Sequence, residues 1–482
     1  MLTGCYMSSN NKSWAEQDWK LIHYRVRKIQ GRIAAAAKRR DWKKVRELQN
    51  LVYHSWYCRM AAVRRVTSRK NVRTPGIDGK FWFSDEERFA AVESLNYRTI
   101  KPRPWKRIYI QKDHDKSKFR PLSVPVIKDR AFEGLLLIAM DPVVETLADA
   151  HSYGFRKHRS SQDVVKDIMS RFGFDRGNVW VLKADIKECF DHLSHDWILN
   201  NAPAARKILR PILQCGYYYK GEKFPTTEGV PQGGVVSPLF TTLLLCGFED
   251  VLKRKYPGAR LEMIRFVDDF LFASDDKDLL GLVRADLAAW LSERGLWLSE
   301  NKTFITHINN GVDYIGWHFQ RSESGLIVSP TEQSVRELFV RLEGVVFQAG
   351  GWTCRRLIRK LNGMVLGWGS YHMYLCTVDC FTAIDTRLQD LLWEWAVLRH
   401  PTHSYSWVYA HYWHYDSFLK RRVFSSGDMA LLRFADTSVR IVPKLDLSKN
   451  PYLDVDYFKA RRKAAYCADR YCACEVRKRK DW

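Results

Sequence analysis

Ile264-Arg265-Phe266-Val267-Asp268-Asp269-Phe270-Leu271-Phe272 sets two adjacent carboxylates between two β-prone apolar runs. Such a stretch predicts a β-hairpin with both acids at its tip. Neighbouring carboxylates shielded from water repel one another, and one pKa rises sharply. A pair of this kind is kept mostly where a divalent cation neutralises it. A third acid, Asp185, ends the apolar strand Val179-Trp180-Val181-Leu182-Lys183-Ala184 and leads into Ile186-Lys187-Glu188-Cys189-Phe190-Asp191. Three oxygen-ligand residues on two strands suit two hard Mg²⁺ ions. Two such ions stabilise the attacking and leaving oxygens of an in-line phosphoryl displacement, which is polymerase chemistry. An Asp-Asp pair alone is usually a turn; the order of Asp185, a Gly-rich motif and Asp268-Asp269 gives this one its weight.

The intervening motif is Gly229-Val230-Pro231-Gln232-Gly233-Gly234-Val235-Val236-Ser237-Pro238-Leu239-Phe240. Paired glycines let backbone approach a ligand closely, and Gln232 is placed to contact a templating strand or an incoming nucleotide. Ser237 reads as a helix N-cap with Pro238 at the first helical position. The apolar run Leu239 to Phe248 reads as the buried helix that follows. The bland alternative is a plain Gly/Pro loop ahead of a core helix.

The 482 residues can bury a large core and should divide into three or four domains. Lys and Arg number 78 against 54 Asp and Glu, a formal charge of +24. That excess points to nucleic acid, with ribosomal or membrane-surface roles as the alternatives. No segment is apolar enough to span a bilayer, and Met1-Leu2-Thr3-Gly4-Cys5 lacks a secretory pattern. Eleven scattered cysteines form no framework and read as reduced cytoplasmic residues.

Residues 14–70 read as two basic amphipathic helices that meet at a turn near Arg40-Asp41. Thr74-Pro75-Gly76-Ile77-Asp78-Gly79 closes them with turn residues. Ile108-Tyr109-Ile110 begins a hairpin whose second strand follows a polar loop at 111–118. Ser329-Pro330-Thr331-Glu332 carries a helix-start signature, followed by helical periodicity through Val335, Leu338, Leu342, Leu357, Leu361 and Val365. Aromatic residues crowd this region, among them Trp352, Trp368, Tyr374, Trp395, Trp407, Tyr409 and Trp413. They are suited to base stacking, although most are expected in the core. Cys467, Cys472 and Cys474 lie near the C-terminus at a spacing unlike a zinc site.

Taken in order, these segments resemble the reverse transcriptases of group II introns and their intron-free bacterial relatives. Arg120-Pro121-Leu122-Ser123-Val124-Pro125 with Lys128-Asp129-Arg130, and Ser152-Tyr153-Gly154-Phe155-Arg156 with Arg159-Ser160, look like the fingers motifs. Asp185, Pro231-Gln232-Gly233 and Phe266-Val267-Asp268-Asp269 look like the three catalytic motifs. Leu298-Ser299-Glu300-Asn301-Lys302-Thr303 and Tyr314-Ile315-Gly316-Trp317-His318-Phe319 look like those that close the palm and grip the primer. The resemblance implies an α+β right-hand polymerase: a basic N-terminal helical extension (1–80), fingers (81–170), palm (171–320), a helical thumb or maturase X domain (321–425) and a basic C-terminal segment (426–482).

It further implies an RNA-directed DNA polymerase. Asp185, Ile186, Asp268 and Asp269 are expected at two Mg²⁺ ions, with Mn²⁺ as a substitute. Lys112 and Arg120 are candidates for the triphosphate, Arg being suited to bidentate phosphate contact. Phe190 would exclude a ribose 2′-hydroxyl, and Gln232 would meet nucleotide or template. Expected partners are an RNA template, a DNA or RNA primer, dNTPs and group II intron RNA. The alternatives are a splicing maturase with secondary polymerase activity and a domesticated enzyme of DNA repair or phage defence. Three features depart from the family. No complete HNH nuclease is expected. Val267 stands where alanine is usual and fills more space near the primer end. Glu188-Cys189 replaces the usual Gly-Phe, with Glu188 expected to face solvent.

Overall fold

A computed structural model describes residues 12–68, 74–112, 115–172, 179–323, 325–372, 378–436 and 439–468. The chain divides into two compact units. One comprises 1–160, 182–305 and 446–458; the other comprises 161–181, 306–445 and 459–482.

In the first unit the N-terminal region forms three helices rather than two: α1 (Trp19–Lys38), α2 (Trp42–His54) and α3 (Trp56–Thr67). Arg40, at φ +58°, makes the expected turn. The second break falls at Ser55, which ends α2 and caps α3 by accepting from the Cys58 amide. After α4 (Asp85–Ser94) comes the hairpin of β1 (Trp105–Lys112) and β2 (Asp115–Val124), whose strands run further into the polar loop than their composition suggests.

α5 (Ile127–Leu147) is largely buried and carries Pro142 in its interior. Proline has no N–H, so the Ile138 carbonyl loses its helical donor. Gln30 of α1 replaces it, its Nε2 lying 3.2 Å from that oxygen. Gln49 of α2 likewise donates to the Ala139 carbonyl at 3.1 Å. The N-terminal helices are thus keyed to α5 by glutamines that bond its carbonyls, one of which the proline leaves open.

β3 (Ser152–Tyr153) and β4 (Trp180–Asp185) follow, then the short pair β5 (Tyr217–Tyr219) and β6 (Glu222–Phe224). β7 (Leu261–Phe266), β8 (Asp269–Ser274) and β9 (Phe304–His307) complete the central sheet, in the order β3-β7-β8-β4-β9. Its buried residues include Val181, Leu182, Ala184, Ile264, Phe270, Leu271 and Phe272. β1 and β2 join β5 and β6 in a separate sheet, order β2-β1-β5-β6.

The second unit contains a three-stranded sheet of β10 (Val312–Tyr314), β11 (Trp317–Ser322) and β12 (Gly325–Pro330). The helix Glu332–Gln348 starts close to where its sequence signature places it, but Ser329 and Pro330 end β12, and Thr331 is the cap, accepting from the Ser334 amide. The helices Cys354–His372 and Val378–Arg399 pack with it around Leu338, Leu342, Leu357, Leu361, Val365, Ile384 and Leu392. Trp395, Tyr412 and Trp413 are buried there, Trp352, Trp368 and Trp393 partly so, whereas Trp407 and Tyr409 are exposed. Tyr374, Cys472 and Cys474 lie outside the described residues, as does the side chain of Cys467. This α+β content, with its hairpin-tipped sheet, is the one expected of a right-hand polymerase. Among the described residues, no helix is long and apolar enough to cross a membrane.

Candidate active site

β7 and β8 pair through Phe266 and Asp269, so the two turn residues are Val267 and Asp268. Asp268 alone of the two acids occupies the tip, and Asp269 opens the returning strand. Val267 has φ +58° and Asp268 does not share it, the pattern of a turn whose first position favours glycine. For a β-branched residue this conformation is strained. Its amide donates to the Tyr153 carbonyl at 3.0 Å. Its side chain lies over Gly154, where an added Cβ would overlap Val267 Cγ2. Val267 thus packs on β3 and its following glycine.

Asp185 ends β4, the strand next to β8. Its carbonyl accepts from the Ser299 amide at 2.8 Å. That bond brings the segment Leu298–Thr303 alongside, and Lys302 Nζ reaches Asp185 Oδ2 at 2.8 Å. Ile186 is buried and bridged to Leu298; with an aliphatic side chain it can offer a cation only its carbonyl. Burial raises the pKa of Asp268, with Asp185 adding repulsion. Burial likewise lifts Asp269 to about 7; Lys183 opposes the rise while Asp185 and Asp268 reinforce it.

Asp185 with Asp268 and Asp269, the last two raised by burial and repulsion, offers hard oxygen donors that fit a hard divalent cation. Among the described residues, no three His, Cys, Asp or Glu side chains converge closely enough to hold an ion as they stand. Cationic charge is supplied here by the Lys302 ammonium, whose own pKa is raised by the bond to Asp185. Lys302 was absent from the sequence-derived site residues, although the motif containing it was recognised.

The Gly-rich loop ties three parts of this unit together. The Val230 amide donates to the Phe190 carbonyl at 2.8 Å, and the Gly229 amide to the Leu193 carbonyl at 2.9 Å. The Gln232 carbonyl accepts from the Ser123 amide of β2 at 3.1 Å, and its Nε2 donates to Asp191 Oδ2 at 3.3 Å. Gly229, at φ +73°, is required, since a Cβ would overlap the Asp191 carbonyl.

Ser237 is not the N-cap its sequence suggests. It is the first residue of the helix Ser237–Leu244, and Val236 occupies the cap position. The loop ahead of this helix is held from α5: buried Glu133 accepts from the Val235 amide at 2.5 Å and the Val236 amide at 3.3 Å. The run to Phe248 is broken at Gly247, φ +98°, and a second helix begins at Phe248.

Phe190 packs edge-on to the exposed Phe155, with ring centroids 6.2 Å apart. Arg120 is exposed on β2 opposite Ile110, three residues before the Ser123 that holds Gln232. Lys112 is the last residue of β1, and its side chain lies outside the described residues. Glu188 faces solvent, as expected.

The family described as reverse transcriptase (RNA-dependent DNA polymerase) matches residues 110–319. The N-terminal domain of reverse transcriptase matches residues 14–95, and the group II intron maturase-specific domain matches residues 336–413. Protein YkfC of Escherichia coli is 27% identical over 314 residues, covering 55% of this chain and 81% of that protein. The group II intron-encoded protein LtrA of Lactococcus lactis is 32% identical over 335 residues, covering 55% of each. Maturase-like protein 1 of Euglena gracilis is 25% identical over 359 residues, covering 72% of this chain and 74% of that protein. The chain thus spans most of the bacterial YkfC but only about half of LtrA. The reverse transcriptase match thus lies between the N-terminal and maturase-specific matches, an order similar to that of the group II intron-like reverse transcriptases.

Proposed function

We propose that the chain is an RNA-directed DNA polymerase that extends a primer on an RNA template with dNTPs. The observation that carries this reading is the placement of Asp185 at the end of β4 beside Asp268 at the hairpin tip and Asp269 at the start of the neighbouring β8, within the segment matched by the reverse transcriptase family. Asp185, Asp268, Asp269 and the Ile186 carbonyl would hold two Mg²⁺ ions. When bound, these lower the pKa of the primer 3′-hydroxyl and stabilise the pyrophosphate leaving group. Lys302, bonded to Asp185, would release it to an ion and place its positive charge beside the phosphates. Arg120 and Lys112 bind the triphosphate. Phe190, backed by Phe155, closes the sugar pocket against a 2′-hydroxyl, and Gln232 is held by Asp191 against the incoming pair.

The test is primer extension on RNA with dNTPs and Mg²⁺, comparing wild type with the double variant Asp268→Ala/Asp269→Ala. Synthesis by wild type alone is expected. Equal synthesis by both removes the assignment.

A second reading, in which the chain folds intron RNA as a splicing maturase, is favoured by the maturase-specific match at 336–413. Tight RNA binding with no synthesis from either protein would make it the leading one. The match at 14–95 supports the basic α1–α3 region as an RNA-contact element.

A further inference from the structure

Arg265 on β7 is 1% exposed, among the most deeply buried large side chains of the protein. Its backbone amide donates to the His151 carbonyl at 3.0 Å, within the register that sets it beside Ser152 of β3. Its Nη1 donates to the Val267 carbonyl at 2.8 Å, which is the carbonyl leading into Asp268. Its Nε and Nη2 have no hydrogen-bond partner among the described residues. An isolated buried guanidinium is costly unless charge or hydrogen bonds compensate it. Here the compensation comes from the Phe270 ring, 5.7 Å from the guanidinium carbon, and from the fields of Asp149 and Asp268. Asp149 is itself buried; its Oδ1 accepts from the Gly247 amide at 2.9 Å, and its Oδ2 has no hydrogen-bond partner among the described residues. A fold that needed only apolar filling at this position would gain by replacing such a cation.

From this we infer that Arg265 is a positioning residue for nucleotidyl transfer: it clamps the strained Val267-Asp268 turn and sets a fixed positive charge beneath the carboxylates. The inference rests on the polymerase reading of that site. The clamp holds Asp268 in place before any ion arrives. The charge relieves part of the repulsion among Asp185, Asp268 and Asp269, and so weakens their hold on an added cation. Arginine suits both tasks, being always charged and able to keep one N–H on a carbonyl.

The two effects separate experimentally in the full-length chain. Arg265→Met removes the charge and the clamp at similar volume. The Mg²⁺ concentration that half-maximally raises the melting temperature, measured without nucleic acid, should then fall several-fold. In primer extension kcat should drop about tenfold or more, with KM for dNTP within a factor of about 2. Tighter ion binding with slower turnover is a combination that a merely loosened hairpin does not give, because loosening weakens both. An unmoved or raised Mg²⁺ midpoint, or a kcat within a factor of about 2 of wild type, overturns the inference. If the Met variant does not fold, Arg265→Lys decides. Charge retention should leave the midpoint at its wild-type value, while the poorer clamp lowers kcat; wild-type kcat or a shifted midpoint counts against the proposal. If wild type itself extends no primer, the polymerase reading fails, while the Mg²⁺ midpoint still reads the role of Arg265.

Discussion

Lys302 Nζ lies 2.8 Å from Asp185 Oδ2, although 117 residues separate them in the chain. The lysine side chain is 66% exposed and the aspartate 14%, so the pair sits at the mouth of the site. It gives one of the three clustered acids a cation that leaves easily. Removing it in Lys302→Met should destabilise the ion-free protein by about 0.5–1 kcal/mol, the scale of a partly exposed pair. Saturating Mg²⁺ should then raise the melting temperature by more than it does in wild type. An equal or smaller rise would show that the lysine and the added ion do not share Asp185.

Asp269 gives the site a pH signature. Its folded pKa is raised to about 7, above its ordinary carboxylate value. Stability from such a group is fully present below the unfolded pKa and is lost as pH rises through the folded one. Ion-free protein should therefore lose stability between about pH 4 and 7. An ion at the site replaces the proton, so excess Mg²⁺ should flatten this fall. Glu133 is also raised to about 7 by burial and titrates in the same window, away from the carboxylate cluster. Only part of the pH dependence should therefore respond to Mg²⁺. Denaturation midpoints at several pH values, with and without Mg²⁺, measure that part; identical curves would refute it.

Glu133 carries the second structural prediction. Its carboxyl is the only acceptor found for the Val235 and Val236 amides in the described residues. Glu133→Ala leaves those buried donors open and should cost about 1–3 kcal/mol. Glu133→Gln keeps an acceptor of the same reach and should cost less, most clearly below pH 7, where the glutamate is itself protonated. Equal losses for the two variants would mean that side-chain volume, rather than hydrogen bonding, holds the loop.

These residues also show where sequence reading succeeds and where it stops. The strand ended by Asp185, the hairpin before Asp269 and the helix start near Glu332 were legible because each depends on neighbours in the chain. Ser237 misled because the loop ahead of its helix is held by Glu133 of α5, 102 residues from Val235. Lys302 was passed over because its role depends on the Ser299–Asp185 backbone bond that brings its segment beside β4. Two N-terminal helices became three because Ser55 carries no Gly or Pro signal, yet caps one helix as another ends.

Glu188 is the departure from family pattern whose cost can be measured directly. It stands where the resemblance leads one to expect glycine, and its backbone has a conformation that favours glycine, at φ +46°. Its side chain is 57% exposed, and its nearest ion-pair partner is His192, with Oε2 3.7 Å from Nε2. A left-handed conformation costs a non-glycine residue roughly 1–2 kcal/mol. Glycine returns about 0.5–1 kcal/mol of that through the greater freedom of its unfolded chain. Glu188→Gly should thus stabilise the protein by about 0.5–1 kcal/mol, read as a higher midpoint in denaturant. Glu188→Ala removes the same carboxylate but keeps the strain and should give no gain. A matching gain in both variants would assign the effect to charge repulsion from Asp185 and Asp191 instead of to backbone conformation.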